Sequence, residues 1–256
     1  MTATYDPLAA HYDAVTGDCA AEAAFIRGLI ERRSGRAATL LDVGCGTGGI
    51  AAQLARDYQV SGLDISPGML AVAGRKLPAG TPLYQADMAS FRLEARYDSV
   101  VCAYQGVNHL LRFPDWESFF DCIHEHLNGG GVFVFDIATA GHLLAESGAP
   151  WLTQQFGGNY LRIRVRAAGG AVFEWQIEVF ELQPDGSYRL LEQTVRMRSF
   201  PVARIREALA RRFIDVEVMN GDGLPATPAD ADEEERIWFA CTKALRLDRG
   251  TIARVG

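Results

Sequence analysis

Among the 256 residues there is no apolar run approaching the roughly 20 that a helix needs to cross a bilayer, which excludes a helical membrane protein. Paired cysteines are missing as well. The five present (Cys19, Cys45, Cys102, Cys122, Cys241) are odd in number, far apart and never in a C-x-x-C pair, so reduced, mostly buried thiols are expected. Basic residues are in short supply: 25 Lys and Arg against 32 Asp and Glu give a formal charge of −7, which argues against a nucleic-acid backbone as the main partner. The opening MTATYDPLAAHYDAV mixes acids and tyrosines where an export signal places basic and then apolar residues, so the cytoplasm is the expected compartment. His124 and His126 stand two apart on a helical pattern and cannot share a face. No metal pair is expected there, and both are placed on the surface.

What is present is the material of one large core fold. With 48% hydrophobic and 22% charged residues the composition is that of a globular protein. From residue 39 to 136, short apolar runs alternate with helical patterns, the signature of a parallel sheet with helices on both faces. Strands are predicted at 39–43, 59–64, 83–86, 97–102 and 132–136. Helices are predicted at 49–57, at 67–76 with Ser66 as N-cap and Pro67 at the first helical position, and at 115–127. Gly129, Gly130 and Gly131 are read as ending that last helix.

Residues 159 to 199 then alternate with period two, with turns at AAGGA (167–171) and PDG (184–186), which predicts a three-stranded antiparallel meander. Arg162, Arg164 and Arg166 share one face of it, and Glu174, Gln176 and Glu178 share the same face of the next strand. A turn near Gly170 sets Arg166 opposite Glu174 and Arg162 opposite Glu178. The six arginines at 162, 164, 166, 189, 196 and 198 admit two readings, a site for an acidic substrate or a solvated ladder of ion pairs, and the glutamates favour the ladder. The apolar face, with Trp175 and Met197, is expected over an active-site mouth. A helix at 202–212 and strands at 215–219 and 237–243 follow, the last two read as an antiparallel hairpin on the sheet edge.

The stretch LLDVGCGTGG (40–49) carries the chemistry. Gly44 to Gly49 satisfies G-x-G-x-x-G, a weak signal by itself that fits a dinucleotide site. Physically it is a strand end, a tight turn without β-carbons and a helix N-terminus that favours an anionic group. Three acids surround it. Asp42 sits two places before the first glycine and can receive a cationic group; Asp64 ends the second strand and can take two ribose hydroxyls; Asp87, in LYQADMASF, can accept from an adenine amino group while Met88 packs on the ring.

At these residues the sequence resembles the class I S-adenosylmethionine-dependent methyltransferases, whose D-x-G-x-G-x-G reads here as Asp42, Gly44, Gly46 and Gly48. The resemblance implies a Rossmann-like seven-stranded, mostly parallel sheet with an antiparallel last strand. It implies a cofactor-binding core from residues 1–140 and 201–256, and a β-rich substrate-covering insertion from 141–200. It also implies a cofactor site of Tyr12, Asp42, Gly44, Cys45, Gly46, Thr47, Gly48, Asp64, Ile65, Met69, Asp87, Met88 and Ala103, with S-adenosylhomocysteine as product.

No Asn/Asp-Pro-Pro-aromatic follows the fourth strand, the usual mark of base or amide nitrogen methylation; CAYQGVNHL (102–110) stands there instead. That stretch and YDPLAAHYDAV are similar to those of small-molecule methyltransferases, especially the amino-sugar and glycine N-methyltransferase branch. The resemblance implies that Tyr12 closes over the sulfonium and that His109 faces the acceptor. His109 is then either a base or an orienting group. Tyr5, Tyr104, Asn108 and Trp151, with His142 as a weaker candidate, are expected to line the acceptor pocket. Two departures, Gly17-Asp18-Cys19 before Glu22 and Thr194-Val195 in place of a histidine, withdraw support from amino-sugar specificity in particular. The expected activity is in-line methyl transfer to a nitrogen or oxygen of a small-molecule acceptor by a chain that can form a homodimer. The alternatives are a protein that binds S-adenosylmethionine for another purpose and an NAD-dependent oxidoreductase.

Overall fold

The computed structural model describes residues 5–35, 37–226 and 231–245. Its core is a seven-stranded sheet in the order β10-β11-β5-β4-β1-β2-β3. In chain order the first strands are β1 (Thr39–Val43), β2 (Gln59–Asp64), β3 (Leu83–Gln85), β4 (Tyr97–Cys102) and β5 (Leu127–Ala138), all parallel where they pair. The chain runs outward from β1 to β3 and then returns to the other side of β1 with β4. That reversal opens a crevice beyond the carboxyl ends of β1 and β4, the place where open parallel sheets collect ligands. The edge is completed by β10 (Ile214–Asn220) and β11 (Arg236–Thr242), an antiparallel pair laid against β5 as the sequence predicts.

Alternation within each strand divides the core into two layers. Val100, Phe133 and Phe135 point into one layer with Phe119, Phe120 and Trp116; Val101, Val132 and Val134 point into the other with Ile26, Leu29 and Leu54. The first layer is built by α5 (Phe113–His126), whose buried Trp116, Phe119, Phe120 and Ile123 recur at helical spacing. The second is covered by α2 (Ala20–Arg33), which follows the one-turn α1 (Tyr12–Thr16), and by α3 (Gly49–Leu54). Helix α4 (Pro67–Lys76) begins where predicted, with the Met69 N–H donating to Ser66 Oγ at 3.1 Å. Also present are α6 (Ala140–Ser147) and α7 (Val202–Ala210).

A second sheet, β6-β7-β8-β9, stands apart from the first. The register of β7 (Asn159–Gly169) on β8 (Val172–Leu182) pairs Arg166 with Glu174 and Arg162 with Glu178, as expected. The ladder reading holds for much of the set: Arg162 pairs with Glu178 at 3.0 Å, Arg196 with Glu174 at 2.8 Å and Arg189 with Glu181, and Arg164 donates to Gln176 at 2.7 Å, whereas Arg198 turns to the Leu111 carbonyl at 3.0 Å. The sheet has four strands rather than three. Besides β9 (Tyr188–Arg198), the structure adds β6 (Leu152–Phe156), which reverses through Gly157 and Gly158 into β7. Four of its five residues, LTQQ, are exposed, so no burial alternation marks the strand in the sequence.

Two further expectations are corrected. The glycines at 129–131 do not terminate α5; the chain is already extended at Leu127, and the glycines belong to β5, where the register against β4 slips. A β-carbon on Gly131 would lie 3.0 Å from the Asp98 carbonyl oxygen. His126 is buried, not on the surface. Its Nδ1–H donates to the Cys122 carbonyl at 2.7 Å and its Nε2 accepts the Leu93 N–H at 2.9 Å, which seals the last turn of α5 against the loop before β4. All five cysteines are free and buried.

Close approach of β2 to its neighbours needs Gly62, where a β-carbon would meet Leu83 Cδ2 at 2.8 Å and Cys45 Sγ at 2.9 Å. Gly62→Ala is expected to lower stability by about 1–3 kcal/mol through overpacking, read as a lower urea midpoint at unchanged m-value.

Candidate active site

The turn after β1 needs the left-handed region three times: Gly44, Gly46 and Gly48 have φ of +71°, +52° and +77°. The turn is strapped to β2, since the Gly44 and Cys45 N–H groups both donate to the Leu63 carbonyl at 2.7 and 3.0 Å. Asp64, at the end of β2, accepts from the Gly46 N–H on one oxygen and from the Ser66 N–H on the other, both at 2.8 Å. Each oxygen keeps a further lone pair, directed by two fixed backbone partners. Gly48 does not face the crevice; a β-carbon there would sit 3.2 Å from Ala73 Cβ, so its role is close packing of the turn against α4.

Asp42 is 2% exposed, and its Oδ2 has no hydrogen-bond partner. Burial, reinforced by the nearby Asp64 carboxylate, pushes its carboxyl up to about 7 against a stabilising backbone bond from Ala51. It lines a small cavity with Tyr12, Thr16, Cys45 and Tyr104. A buried, unpartnered carboxylate oxygen is costly unless something cationic meets it.

Two larger chambers lie beyond the sheet edge. One runs along Gly44, Gly46, Asp64, Ile65, Met69, Asp87, Met88 and Ala103, so it collects most of the residues expected at a cofactor. The other lies under the second sheet, enclosed by Leu8 and His11 from the N-terminal segment and by Trp175 and Met197 from that sheet, as expected for its apolar face. Tyr5, Tyr12, Tyr104 and His109 border both chambers. Whatever passes from one to the other passes between these four side chains.

His109 closes the 3-10 turn Gly106–His109, and its ring is pinned at both nitrogens. Nδ1 lies 3.2 Å from the Arg196 carbonyl oxygen on β9. A carbonyl only accepts, so Nδ1 carries the proton and, in the neutral ring, Nε2 carries the lone pair. Nε2 faces the Tyr5 hydroxyl at 3.4 Å. Burial lowers the imidazole's pKa below its usual value, partly opposed by the Arg196 bond, so the ring is neutral at physiological pH. Burial acts in the opposite sense on the tyrosines: Tyr12 is pushed up to about 12 and Tyr5 also rises, which keeps both hydroxyls protonated. The site therefore offers one acceptor nitrogen among phenol donors.

The backbone that delivers these groups is strained. Tyr104 and Gln105 both lie at positive φ, 56° and 60°, where residues other than glycine are disfavoured. Asp136, fully buried near the end of β5, holds the turn: its Oδ1 accepts the Gln105 N–H at 3.1 Å and its Oδ2 pairs with Arg236 Nε at 2.7 Å. The Arg236 guanidinium lies 4.4 Å from the Trp238 ring centre and 5.6 Å from that of Tyr104. Neither Asp136, Arg236 nor Gln105 is expected from the sequence reading. The signal available was the acid ending the apolar run VFVFD, the same pattern as LLD at Asp42.

Three expected pocket residues stand elsewhere. Asn108 is fully buried: its amide donates to the Ala138 and Arg198 carbonyls at 3.1 and 3.0 Å and its oxygen accepts the Ala138 N–H, so it clamps the 3-10 turn between β5 and β9. Trp151 lies on the polar side of the second sheet, beneath the Arg162 and Arg164 guanidiniums at 4.3 and 4.4 Å. His142 sits in the first turn of α6, outside both chambers.

Residues 40–131 match the family described as "Methyltransferase domain". The chain is 29% identical over 210 residues to a dTDP-3-amino-3,6-dideoxy-alpha-D-glucopyranose N,N-dimethyltransferase from Streptomyces fradiae, covering 78% of this chain and 79% of that one. It is 37% identical over 120 residues to a dTDP-3-amino-3,4,6-trideoxy-alpha-D-glucopyranose N,N-dimethyltransferase from Streptomyces venezuelae, covering 46% and 50%. Its fold is similar to that of an S-adenosylmethionine-bound amino pentose methyltransferase from Micromonospora echinaspora, with a TM-score of 0.75 and 25% identity over 92% of this chain and 95% of that one.

Asp136→Ala is expected to cost about 3 kcal/mol, because it leaves the largely buried Arg236 guanidinium with Glu22, at 3.8 Å, as its remaining ion-pair partner. Asp136→Ala combined with Arg236→Met is expected to recover part of that loss, as read from urea unfolding of the double-mutant cycle.

Proposed function

Because the chain is a class I S-adenosylmethionine-dependent methyltransferase acting on a small-molecule acceptor, we propose that it holds the cofactor along the chamber from Asp42 to Met88 and the acceptor in the chamber under the second sheet. The donor set suits the cofactor. Asp42, with its orphaned oxygen, meets the amino group; Asp64 takes the ribose hydroxyls on its remaining lone pairs; Asp87 and Met88 meet the adenine. Bound there, S-adenosylmethionine supplies a methyl group activated by the sulfonium charge. The described parts of residues 1–140 and 201–256 then form the cofactor-binding core, and 141–200 the cover over the acceptor.

The observation that carries the assignment is His109, neutral, tautomerically fixed and standing on the border of both chambers. Most of the rate comes from orientation in a site that excludes water. Within it, Nε2 accepts the proton that an N–H or O–H nucleophile releases as it is methylated. Tyr12, fully protonated, borders the methyl path with its ring and hydroxyl and orients the reacting groups without exchanging a proton. A dinucleotide reading of the glycine loop gives Asp42 no partner, whereas an ammonium does.

Two outcomes test this. The active form is neutral His109, so kcat/KM is expected to fall as pH drops through a pKa below the ordinary histidine value. His109→Gln, which keeps hydrogen bonding but cannot take a proton, is expected to lower kcat about 100-fold or more and abolish that limb while S-adenosylhomocysteine still raises the melting temperature. Full turnover in His109→Gln would remove the base assignment. For Asp42, whose carboxyl is raised to about 7, the charged form that attracts the amino group develops as pH rises. Affinity for S-adenosylmethionine, measured by calorimetry, is expected to increase from pH 6 to about pH 8 in the native protein and to be weak and flat in Asp42→Asn.

A further inference from the structure

Fourteen residues line the acceptor chamber, and none of them is Asp, Glu, Lys or Arg. The wall given by the second sheet is Leu161, Ile163, Trp175, Ile177, Val179 and Met197. At its edge His11 lies 3.1 Å from Glu181, which also pairs with Arg189. Across the border the cofactor chamber contributes only acids, Asp64 and Asp87. A diphosphate carries two negative charges that arginine or lysine best meets, and among the described residues no such cation lines either chamber. A dTDP-amino sugar, the substrate in the names of two relatives, would meet no such cation in this chain's chambers.

What the chamber does offer is flat apolar surface and, where it borders the cofactor chamber, the acceptor nitrogen of His109. The rings of Tyr5, Tyr12, Tyr104 and Trp175 surround it, a lining that favours an aromatic guest by stacking and edge contacts. The phenol of Tyr5 already presents its hydroxyl to His109 Nε2 at 3.4 Å on the border with the cofactor chamber. Nor does a carboxylate line the acceptor side to hold an ammonium.

We propose that the acceptor is an uncharged aromatic molecule that presents a phenolic hydroxyl to His109 Nε2 in place of Tyr5, and not a sugar nucleotide. This rests on the methyltransferase reading above. In the transfer an electron pair of the phenol oxygen forms the new O–CH3 bond while the methyl–sulfur bond breaks. That bond pair returns to sulfur, converting the sulfonium to the thioether of S-adenosylhomocysteine, and the phenolic proton passes to His109 Nε2, leaving an imidazolium that solvent later neutralises.

The test uses 2-naphthol as the neutral aromatic probe and dTDP-3-amino-3,6-dideoxy-alpha-D-glucopyranose as its rival. Binding to the protein loaded with S-adenosylhomocysteine is measured by calorimetry, and methyl transfer from S-adenosylmethionine by mass spectrometry. The expected result is that 2-naphthol binds and is converted to its methyl ether while the sugar nucleotide does neither. Ile177→Lys, which sets a charge in the apolar wall, is expected to bind 2-naphthol on the order of tenfold more weakly or worse while keeping the melting shift with S-adenosylhomocysteine. Methylation of the sugar nucleotide, failure of 2-naphthol to bind, or native affinity for it in Ile177→Lys would each overturn the proposal. If Ile177→Lys does not fold, the two probes on the native protein decide the matter. No melting shift with either S-adenosylmethionine or S-adenosylhomocysteine would overturn the methyltransferase reading instead.

Discussion

A buried carboxylate is expensive, and this fold places two of them, Asp42 and Asp136, with a half-buried third, Asp64, near the carboxyl ends of parallel strands. Asp64 spends its two oxygens on the N–H groups of Gly46 and Ser66, joining the turn after β1 to the start of α4. Asp136 holds the Gln105 N–H and the Arg236 guanidinium, and so fixes the turn after β4 to the last strand. Asp42 alone keeps an oxygen without a partner. Asp64 and Asp136 are satisfied within the protein and make the crevice rigid; Asp42 is the one that the proposed function gives to a ligand. The shape of the site follows from which of these acids is already satisfied.

The roof is made by the N-terminal segment, which is tied to three different bodies. Asp6 accepts from the Ser66 hydroxyl and the Gly68 N–H at the head of α4. Asp13 meets the Thr47 hydroxyl at 2.6 Å and Lys76 Nζ at 2.7 Å, and His11 reaches Glu181 on the second sheet. Between these ties, Leu8 packs against Leu161, Ile177 and Val179. The segment thereby carries Tyr5 and Tyr12 across the border of the two chambers without needing a long helix of its own.

Much of this was legible in the sequence because the signals were local. The glycine turn, the Ser66-Pro67 helix start and the arginine–glutamate register each depend on residues close in the chain or on simple alternation. Helix α2 buries Ala23, Ile26, Leu29 and Ile30 at helical spacing, but the exposed Ala20, Ala21 and Ala24 blur that stripe, and its burial is set by a strand layer formed by distant segments. Strand β6 was missed because nearly all of it faces solvent. The errors at the site are of the same kind. Asn108 and Trp151 are polar or aromatic residues near the right motifs, but which way each points is decided by β5, β9 and the arginines of β7, none of which is a neighbour in sequence. The Asp136–Arg236 pair spans 100 residues, and no spacing rule announces it.

The bond from His109 Nδ1 goes to a backbone oxygen of β9, not to a side chain. Every residue type carries that carbonyl, so the proton chemistry of the imidazole does not depend on which amino acid stands at position 196. The same sheet presents its inward side chains, Ile177, Val179 and Met197 among them, to the chamber beneath it. The lining of the chamber and the tautomer of His109 are thus written in separable parts of one element, and under the proposed function an ancestor could exchange the inward wall residue by residue for a new acceptor while the tautomer was passed on untouched.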